Sequence, residues 1–118
     1  MSQLAQRLTA LDGIEFEDLS DSYMTRLRVN FPNGYSLSVI RNRGGQGGFG
    51  GSYGAESGLV EIALYDGEGE FTQILWPDHY DDVMGWMTHD DVMNYAEKAA
   101  ALPKWLKTIS HTEIKELS

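Results

Sequence analysis

Residues 24–41 read MTRLRVNFPNGYSLSVIR, and this stretch decides the fold. Its first half places Leu27, Val29 and Phe31 on one side and polar residues on the other, which is the two-residue period of a half-buried strand. Pro32-Asn33-Gly34 then presets one φ, tolerates a left-handed conformation and ends on glycine, so it predicts a tight reversal. The residues that follow return as a second strand. The stretch therefore predicts an antiparallel hairpin.

Two further strands are predicted downstream of a glycine-rich loop. Residues 59–65 are apolar on both faces apart from Glu61, which is typical of a central strand. A turn follows, and residues 71–76 are predicted as the fourth strand, which Pro77 ends. Residues 14–22 indicate only a short extended segment or loop. The economical arrangement is a four-stranded antiparallel meander.

Helical patterns flank the strands. Ser2 and the apolar spacing after it predict a short helix over residues 3–12. Thr88 and Asp91 match a capping box, which predicts a second helix over 89–102. Residues 78–87 read as a turn or one helical turn, and Pro103 either ends the second helix or opens a third. The predicted fold class is α+β, with the C-terminal helix and the short N-terminal helix packed on the sheet.

The length of 118 residues favours one domain with a real core. Its predicted parts are an N-terminal helix with an acidic segment (1–23), the sheet with its glycine-rich loop at 44–58 (24–76), and a helical C-terminal part (77–118). The predicted core comes from the strands and the second helix: Leu27, Val29, Leu37, Val39, Ile62, Leu64, Ile74, Val92, Tyr95 and Ala99.

Composition narrows the classes of function. The chain has no cysteine, which excludes disulfides, thiolate metal sites and a cysteine nucleophile. No apolar run approaches the roughly 20 residues of a membrane span, and the N-terminus lacks a signal pattern, so we expect a cytoplasmic protein. The net charge of −9 comes from residues 44–97, which hold eleven acids and no Lys or Arg. Such a field repels nucleic acid and membranes and favours a basic partner.

Four segments carry a resemblance to known proteins. They are residues 33–40 (NGYSLSVI), 52–54 (SYG), 58–64 (GLVEIAL) and 81–92 (DDVMGWMTHDDV). Together they resemble a group of small bacteriophage-encoded proteins of unassigned function, over about residues 30–102. The glycine tract of this chain is longer than in that group. The resemblance implies a phage or prophage product that acts in the host cytoplasm, and it implies no catalytic or binding residue.

Several motifs contain residue types that are found in catalytic or ligand-binding sites. Residues 45–50 match G-x-G-x-x-G, but no helix or βαβ unit follows, so a nucleotide site is disfavoured and no cofactor is predicted. Arg41 and Arg43 near Phe49 and Tyr53 are the residue types that bind single-stranded nucleic acid, but the acids that follow oppose it. No nucleophile motif is present, so no catalytic residue is predicted. The loop aromatics fit a partner-binding role better.

We therefore predict a non-enzymatic protein-interaction module that binds or modulates a host protein, without direct nucleic-acid or membrane binding. The sequence leaves self-association open. The predicted partner-binding residues are aromatic and acidic: Phe49, Tyr53, Trp76, Asp78, Tyr80, Asp81, Asp82 and Trp86. One alternative is a small ligand- or metal-binding enzyme that uses His79, Asp82 and His89, although no ligand-spacing motif supports it.

A second alternative is an inhibitor that mimics nucleic acid and occupies the basic groove of a host enzyme. It depends on acids in two turns and at a helix start, which are expected to share one end of the sheet and to form a single negative patch. These acids are Asp66, Glu68, Glu70, Asp78, Asp81, Asp82, Asp90 and Asp91. Solubility alone also explains acidic turns.

Overall fold

The computed structural model describes residues 2–22, 24–42, 59–79 and 81–106. The described chain is α+β, as predicted, with two helices and five strands. In chain order these elements are α1 (Ser2–Thr9), β1 (Glu15–Asp18), β2 (Met24–Asn30), β3 (Ser36–Asn42), β4 (Val60–Tyr65), β5 (Val83–Met87) and α2 (His89–Ala100).

The five strands form one antiparallel sheet in the order of the sequence. The predicted hairpin is confirmed, with Leu27 opposite Val39 and Asn30 opposite Ser36. Phe31 closes the turn, because its N–H donates to the carbonyl of Tyr35 at 2.9 Å. Gly34 has φ +96°, which explains why a glycine is needed there. The predicted meander is therefore correct in topology, and the number of strands is wrong by one.

The core lies on one face of the sheet, beneath both helices. Alternate residues of β2, β3 and β4 point into it, and α2 contributes Val92, Ala96 and Ala99. From α1, Leu4 and Leu8 are fully buried. Eight of the ten predicted core residues are buried: Leu27, Val29, Leu37, Val39, Ile62, Leu64, Val92 and Ala99. Tyr95 is only partly buried, and Ile74, at 50% exposure, was predicted wrongly.

Residues 71–76 do not form the predicted fourth strand. Phe71 makes one isolated bridge to Tyr65, and the chain then turns, because the N–H of Trp76 donates to Gln73 and that of His79 donates to Trp76. The turn sends the Trp76 side chain into the core, where its ring packs edge-on against Tyr95 with centroids 5.5 Å apart. Burial of this large ring and pairing of residues 71–76 as a strand exclude each other, and the structure adopts the conformation that buries the ring.

Two segments outside the predicted sheet are strands. β5 takes the edge position beside β4 in a region predicted as a turn or helical turn, with Ala63 opposite Val83. β1 forms where an extended segment or loop was expected, and it places Phe16 opposite Val29 against the core. Each segment is too short to signal a strand by itself, and each is stabilised by pairing with a longer neighbour.

Both helices end earlier than predicted, since α1 stops at Thr9 and α2 at Ala100. The predicted capping box is confirmed: Thr88 Oγ1 accepts the Asp91 N–H at 3.1 Å, and the Asp91 carboxylate accepts the Thr88 N–H at 3.0 Å. Residues 101–106 contain no third helix. Neither helix among the described residues is long and apolar enough to cross a membrane.

Candidate interaction surface

The backbone of β5 has an irregular conformation at Gly85 and Trp86. Met87 pairs with Val60 and Met84 with Ile62, so Gly85 and Trp86 together oppose the single residue Glu61 in a β-bulge. Trp86 has φ +59°, which lies in the left-handed region. It is the only residue other than glycine with a positive φ in the described ranges. For a bulky L-residue this conformation costs roughly 1–2 kcal/mol.

Trp86 is also the most exposed aromatic side chain of the described sheet, at 63% of its surface. Burying an indole would stabilise the fold, and leaving it in water does not. The bulge therefore holds a large aromatic ring in solvent on a strained backbone. Tryptophan is enriched among residues that dominate binding energy at protein interfaces. Sequence reasoning selected Trp86 as an exposed aromatic but did not predict the bulge.

Phe71 lies in the same edge position as β5. Tyr65 pairs with Ser36 of β3 on one side, so its bridge to Phe71 is on the side that β5 occupies. The rings of Phe71 and Tyr65 stack with centroids 4.9 Å apart, and Phe71 remains 49% exposed. The Arg28 guanidinium lies 4.9 Å from the Tyr65 centroid, a cation–π contact that supports the pair. We call Phe71 together with Val83–Met87 the β5 edge.

The β5 edge is protected against strand addition at its first residue. Because the Leu64 carbonyl accepts from Thr72 on this side of β4, the neighbouring Ala63 directs its backbone groups towards β3. Val83, opposite Ala63, therefore directs its N–H and C=O outward. His79 Nε2 lies 3.1 Å from that carbonyl oxygen, and Asp81 accepts that N–H at 3.4 Å. Covered groups and a bulge are how proteins discourage pairing at an edge.

The other predicted partner-binding residues have mixed positions. Asp78 and Asp82 are exposed, and the Asp82 carboxylate accepts from the Gln73 amide at 3.2 Å. Asp81 is half-buried and orders the start of β5. Phe49, Tyr53 and Tyr80 lie outside the described residues.

Trp76 requires a correction. It is 5% exposed and belongs to the core, so it offers no surface to a partner. Its Nε1 is buried and donates to no group within the described residues, which is unusual for a buried indole.

The three residues of the enzyme alternative are not brought together. His79 contacts Val83 at the start of β5, whereas His89 begins α2 beyond its other end. Among the described residues, no group of three His, Cys, Asp or Glu side chains has the geometry of a metal site. Burial lowers the pKa of the His89 imidazole, and the positive charges of the chain N-terminus, Arg7 and Arg41 act in the same direction, whereas Asp90 raises it.

The acidic residues do not form the single patch that was expected. The connection of residues 66–82 precedes β5, whereas Asp90 and Asp91 follow it, and the strand register places the two groups at opposite ends of that strand. Asp90 is paired with Arg7 at 2.9 Å. Asp66 accepts the N–H groups of Glu68 and Glu70 at 2.8 and 3.1 Å, which orders its own turn. The prediction of one continuous patch is therefore wrong.

Comparisons with protein-family models, with curated proteins and with solved structures found no match to this chain.

Proposed function

We propose that this chain is a non-enzymatic interaction module that binds a partner protein through the β5 edge, with Trp86 as the main anchor. One observation supports this most: an indole exposed over 63% of its surface is carried on a backbone with φ +59°. A strained residue persists only where the surrounding structure holds it, and such residues cluster at functional sites. Neither strain nor exposure of this ring stabilises the fold.

Recognition through side chains fits the β5 edge better than addition of a strand. A partner strand would need free backbone groups in regular order along β5. The Val83 carbonyl and N–H are contacted by His79 and Asp81, and the bulge at Gly85 and Trp86 interrupts the order further along. An exposed indole, by contrast, contributes a large contact area at low entropic cost, because the side chain has only two torsions.

The partner class follows from charge and from the resemblance. Residues 44–97 contain eleven acids and no Lys or Arg, so the surface around β5 favours a partner with a basic surface. The resemblance to small bacteriophage proteins makes a protein of the host cytoplasm the expected partner. Binding or modulating such a protein is the proposed role. Mimicry of nucleic acid is less favoured, because the acids are divided between two ends of β5.

The test compares three forms of the protein in affinity capture from host lysate. Trp86→Gly removes the anchor and permits the positive φ, so the fold should be kept. Leu19→Ala removes another exposed apolar side chain, 47% exposed, next to the opposite edge strand β1. We expect a partner retained by the wild-type protein and by Leu19→Ala but depleted at least about tenfold with Trp86→Gly, as for an interface hot spot. Equal capture by all three forms would reject the proposal.

A further inference from the structure

The β5 edge carries a second exposed aromatic side chain besides Trp86. Phe71 is half-exposed, and both its bridge and its ring stacking fix it to Tyr65 of β4. Both aromatic residues occupy the outermost position of the sheet, since Phe71 is in line with β5 on the same side of β4. The edge therefore presents two exposed rings rather than one.

The register gives the spacing of the two rings along the edge. Trp86 lies at the level of Glu61 and Phe71 at the level of Tyr65, four residues further along β4. At about 3.3 Å per residue, the two levels are roughly 13 Å apart. Between these two levels lies the pair of Ala63, which is buried, and Val83, which is partly exposed. An extended peptide covers such a distance in about four residues.

The charge of this region selects the occupant. From Leu59 to Glu97 the sequence has no Lys or Arg, and Glu61 is the residue opposite the bulge. Two arginines of the neighbouring strands lie near the ends of the edge: Arg28 contacts the Tyr65 ring, and Arg41 is close enough to His89 to lower its pKa. The Asp91 carboxylate lies 3.0 Å from the Thr88 N–H, two residues after Trp86, which places it within about 10 Å of the Trp86 backbone. Arg7 of α1 is paired with Asp90 at the start of α2. Cationic side chains are therefore attracted here, and an indole face is the preferred aromatic partner of a cation.

A second copy of this chain is a poor occupant. Each copy carries a net charge of −9, and two β5 edges would bring their acids together without any Lys or Arg from residues 44–97 to offset them. Strand pairing between copies is also opposed by the covered backbone groups of Val83. Charge and edge protection agree in excluding self-association through this surface.

We infer that the β5 edge binds an extended basic segment of the partner, with one Arg or Lys side chain on the Trp86 indole and a residue about four positions away against Phe71. This inference rests on the proposed function and specifies the partner chemistry for the same surface. Affinity comes from cation–π contact and from the acids beside it. The spacing of the two rings gives a preference for the separation of the contacting residues.

The experiment uses synthetic capped peptides and the ¹⁵N-labelled full chain. The first peptide, Gly-Arg-Ser-Gly-Ser-Arg-Gly, has arginines four positions apart. The second replaces both arginines with glutamate, and the third places the two arginines side by side. The chain has three Trp, so its indole N–H signals report on the anchor separately from Trp76 and Trp105.

We expect the first peptide to shift the Trp86 indole signal saturably, the third to bind more weakly, and the glutamate peptide to give no shift. Trp86→Leu should weaken binding of the first peptide about two- to fivefold, the size of an exposed cation–π contact. Phe71→Ala should remove the preference for the first peptide over the third. Leu19→Ala, which leaves the edge intact, should bind all three as the wild-type protein does.

Absence of the shift with the first peptide, or an equal shift with the glutamate peptide, would overturn the inference. Its failure is distinguishable from failure of the proposed function. If capture of a partner depends on Trp86 but the arginine peptide does not displace that partner, the proposed interaction module is supported and the basic-segment inference is rejected. If Trp86→Gly captures the partner as well as the wild-type protein does, both the proposed function and the basic-segment inference are rejected.

Discussion

The side chain of Asn33, in the turn between β2 and β3, caps the C-terminal end of α2 by donating to the Ala99 carbonyl at 2.8 Å. The same Nδ2 group lies 3.0 Å from the Leu102 carbonyl, and Oδ1 accepts the Tyr35 N–H at 3.1 Å. The last carbonyls of a helix have no partner within it. One amide therefore satisfies the helix end and orders the hairpin turn, which joins the two most regular parts of the fold.

Replacing Asn33 should destabilise the protein through this cap. Asn33→Ala removes the side-chain partner of the Leu102 carbonyl and of the Tyr35 N–H, whereas the Ala99 carbonyl still accepts the Leu102 N–H at 3.2 Å. We expect a loss of about 1–3 kcal/mol in the free energy of unfolding. Asn33→Asp should be no better, because a carboxylate faces carbonyls at the negative end of the helix dipole. Denaturant titration measures both. Asn94→Ala, on the exposed side of α2, is the control and should change stability by under about 0.5 kcal/mol. An Asn33→Asp variant as stable as wild type would contradict the capping role.

Trp105 occupies the space next to Gly67 that a larger residue would need. A Cβ at Gly67 would collide with the Trp105 ring, although the backbone of Gly67 does not have a positive φ and would accept alanine. Gly67→Ala should therefore displace the indole and cost about 1–3 kcal/mol. The backbone N–H of Trp105 donates to the Asn33 carbonyl at 2.8 Å, which limits how far the backbone at Trp105 can move.

A double-mutant cycle tests this explanation. In a Trp105→Ala background the added methyl group at Gly67 meets no ring, so its cost should fall to within about 0.5 kcal/mol of zero. Urea denaturation of the four proteins gives the coupling energy. If Gly67→Ala is equally destabilising in both backgrounds, the loss comes from the turn itself and not from Trp105.

The strain at Trp86 predicts an order of stability between two variants. At φ +59°, glycine is unstrained and alanine is not, so Trp86→Gly should be more stable than Trp86→Ala by about 1 kcal/mol. Val83, at the other end of β5 and without positive φ, is the matched control. There the order should reverse, because glycine weakens a strand. Chemical denaturation midpoints at constant m-value decide the outcome. The same order at both positions would show that Trp86 is not held in a left-handed conformation.

How far the sequence predicts this molecule depends on whether a feature is local. The β2–β3 hairpin and the capping box of α2 follow from residues close in sequence, so both were predicted correctly. The edge of the sheet follows from competition between residues 71–76 and 83–87, and burial of Trp76 decides it. This competition depends on residues distant in sequence, including Tyr95. The hydrophobic pattern of either segment alone therefore does not predict which of them forms the edge strand.

The candidate site also combines features that the local sequence predicts with features that it does not. Aromatic type was enough to select Trp86, but the same criterion also selected Trp76, which is buried. Phe71 was missed because it was assigned to the start of the predicted fourth strand. The one sequence signal that points to the bulge is Gly85 immediately before Trp86, since glycine within a strand pattern often marks a bulge. Residues 78–87 were predicted instead as a turn or as one helical turn that Gly85 interrupts.

The pKa of His89 predicts a contribution to the pH dependence of stability. Burial is the main cause that lowers this pKa below its value of about 6.5 in the unfolded chain. Between the two values the unfolded state binds the proton and the folded state does not. The contribution is therefore fully present above pH about 6.5 and is lost as the pH falls through the folded-state pKa. His89→Gln should lose less stability than wild type between pH 7.5 and 5.5. Parallel curves for the two proteins would contradict this.

The acids before β5 predict how quickly the partner associates. Asp78, Asp81 and Asp82 lie in the connection that leads into the β5 edge, and no Lys or Arg of residues 44–97 offsets them. If they steer a basic partner, replacing all three with Asn should lower the association rate constant severalfold and leave dissociation nearly unchanged. Asn retains the acceptor oxygens that bond Val83 and Gln73.

A variant with the same change of net charge at the opposite edge is the control for this measurement. Glu15→Gln, Glu17→Gln and Asp18→Asn together remove three charges from β1, the other edge strand, and should slow association less. Raising the salt from about 0.05 M to about 0.3 M shortens the Debye length to below ~8 Å and should slow the wild-type protein more than the variant that lacks the three β5 acids. Association kinetics with the captured partner give these rates. Equal slowing by both triple variants would mean that net charge, and not the β5 edge, directs the encounter.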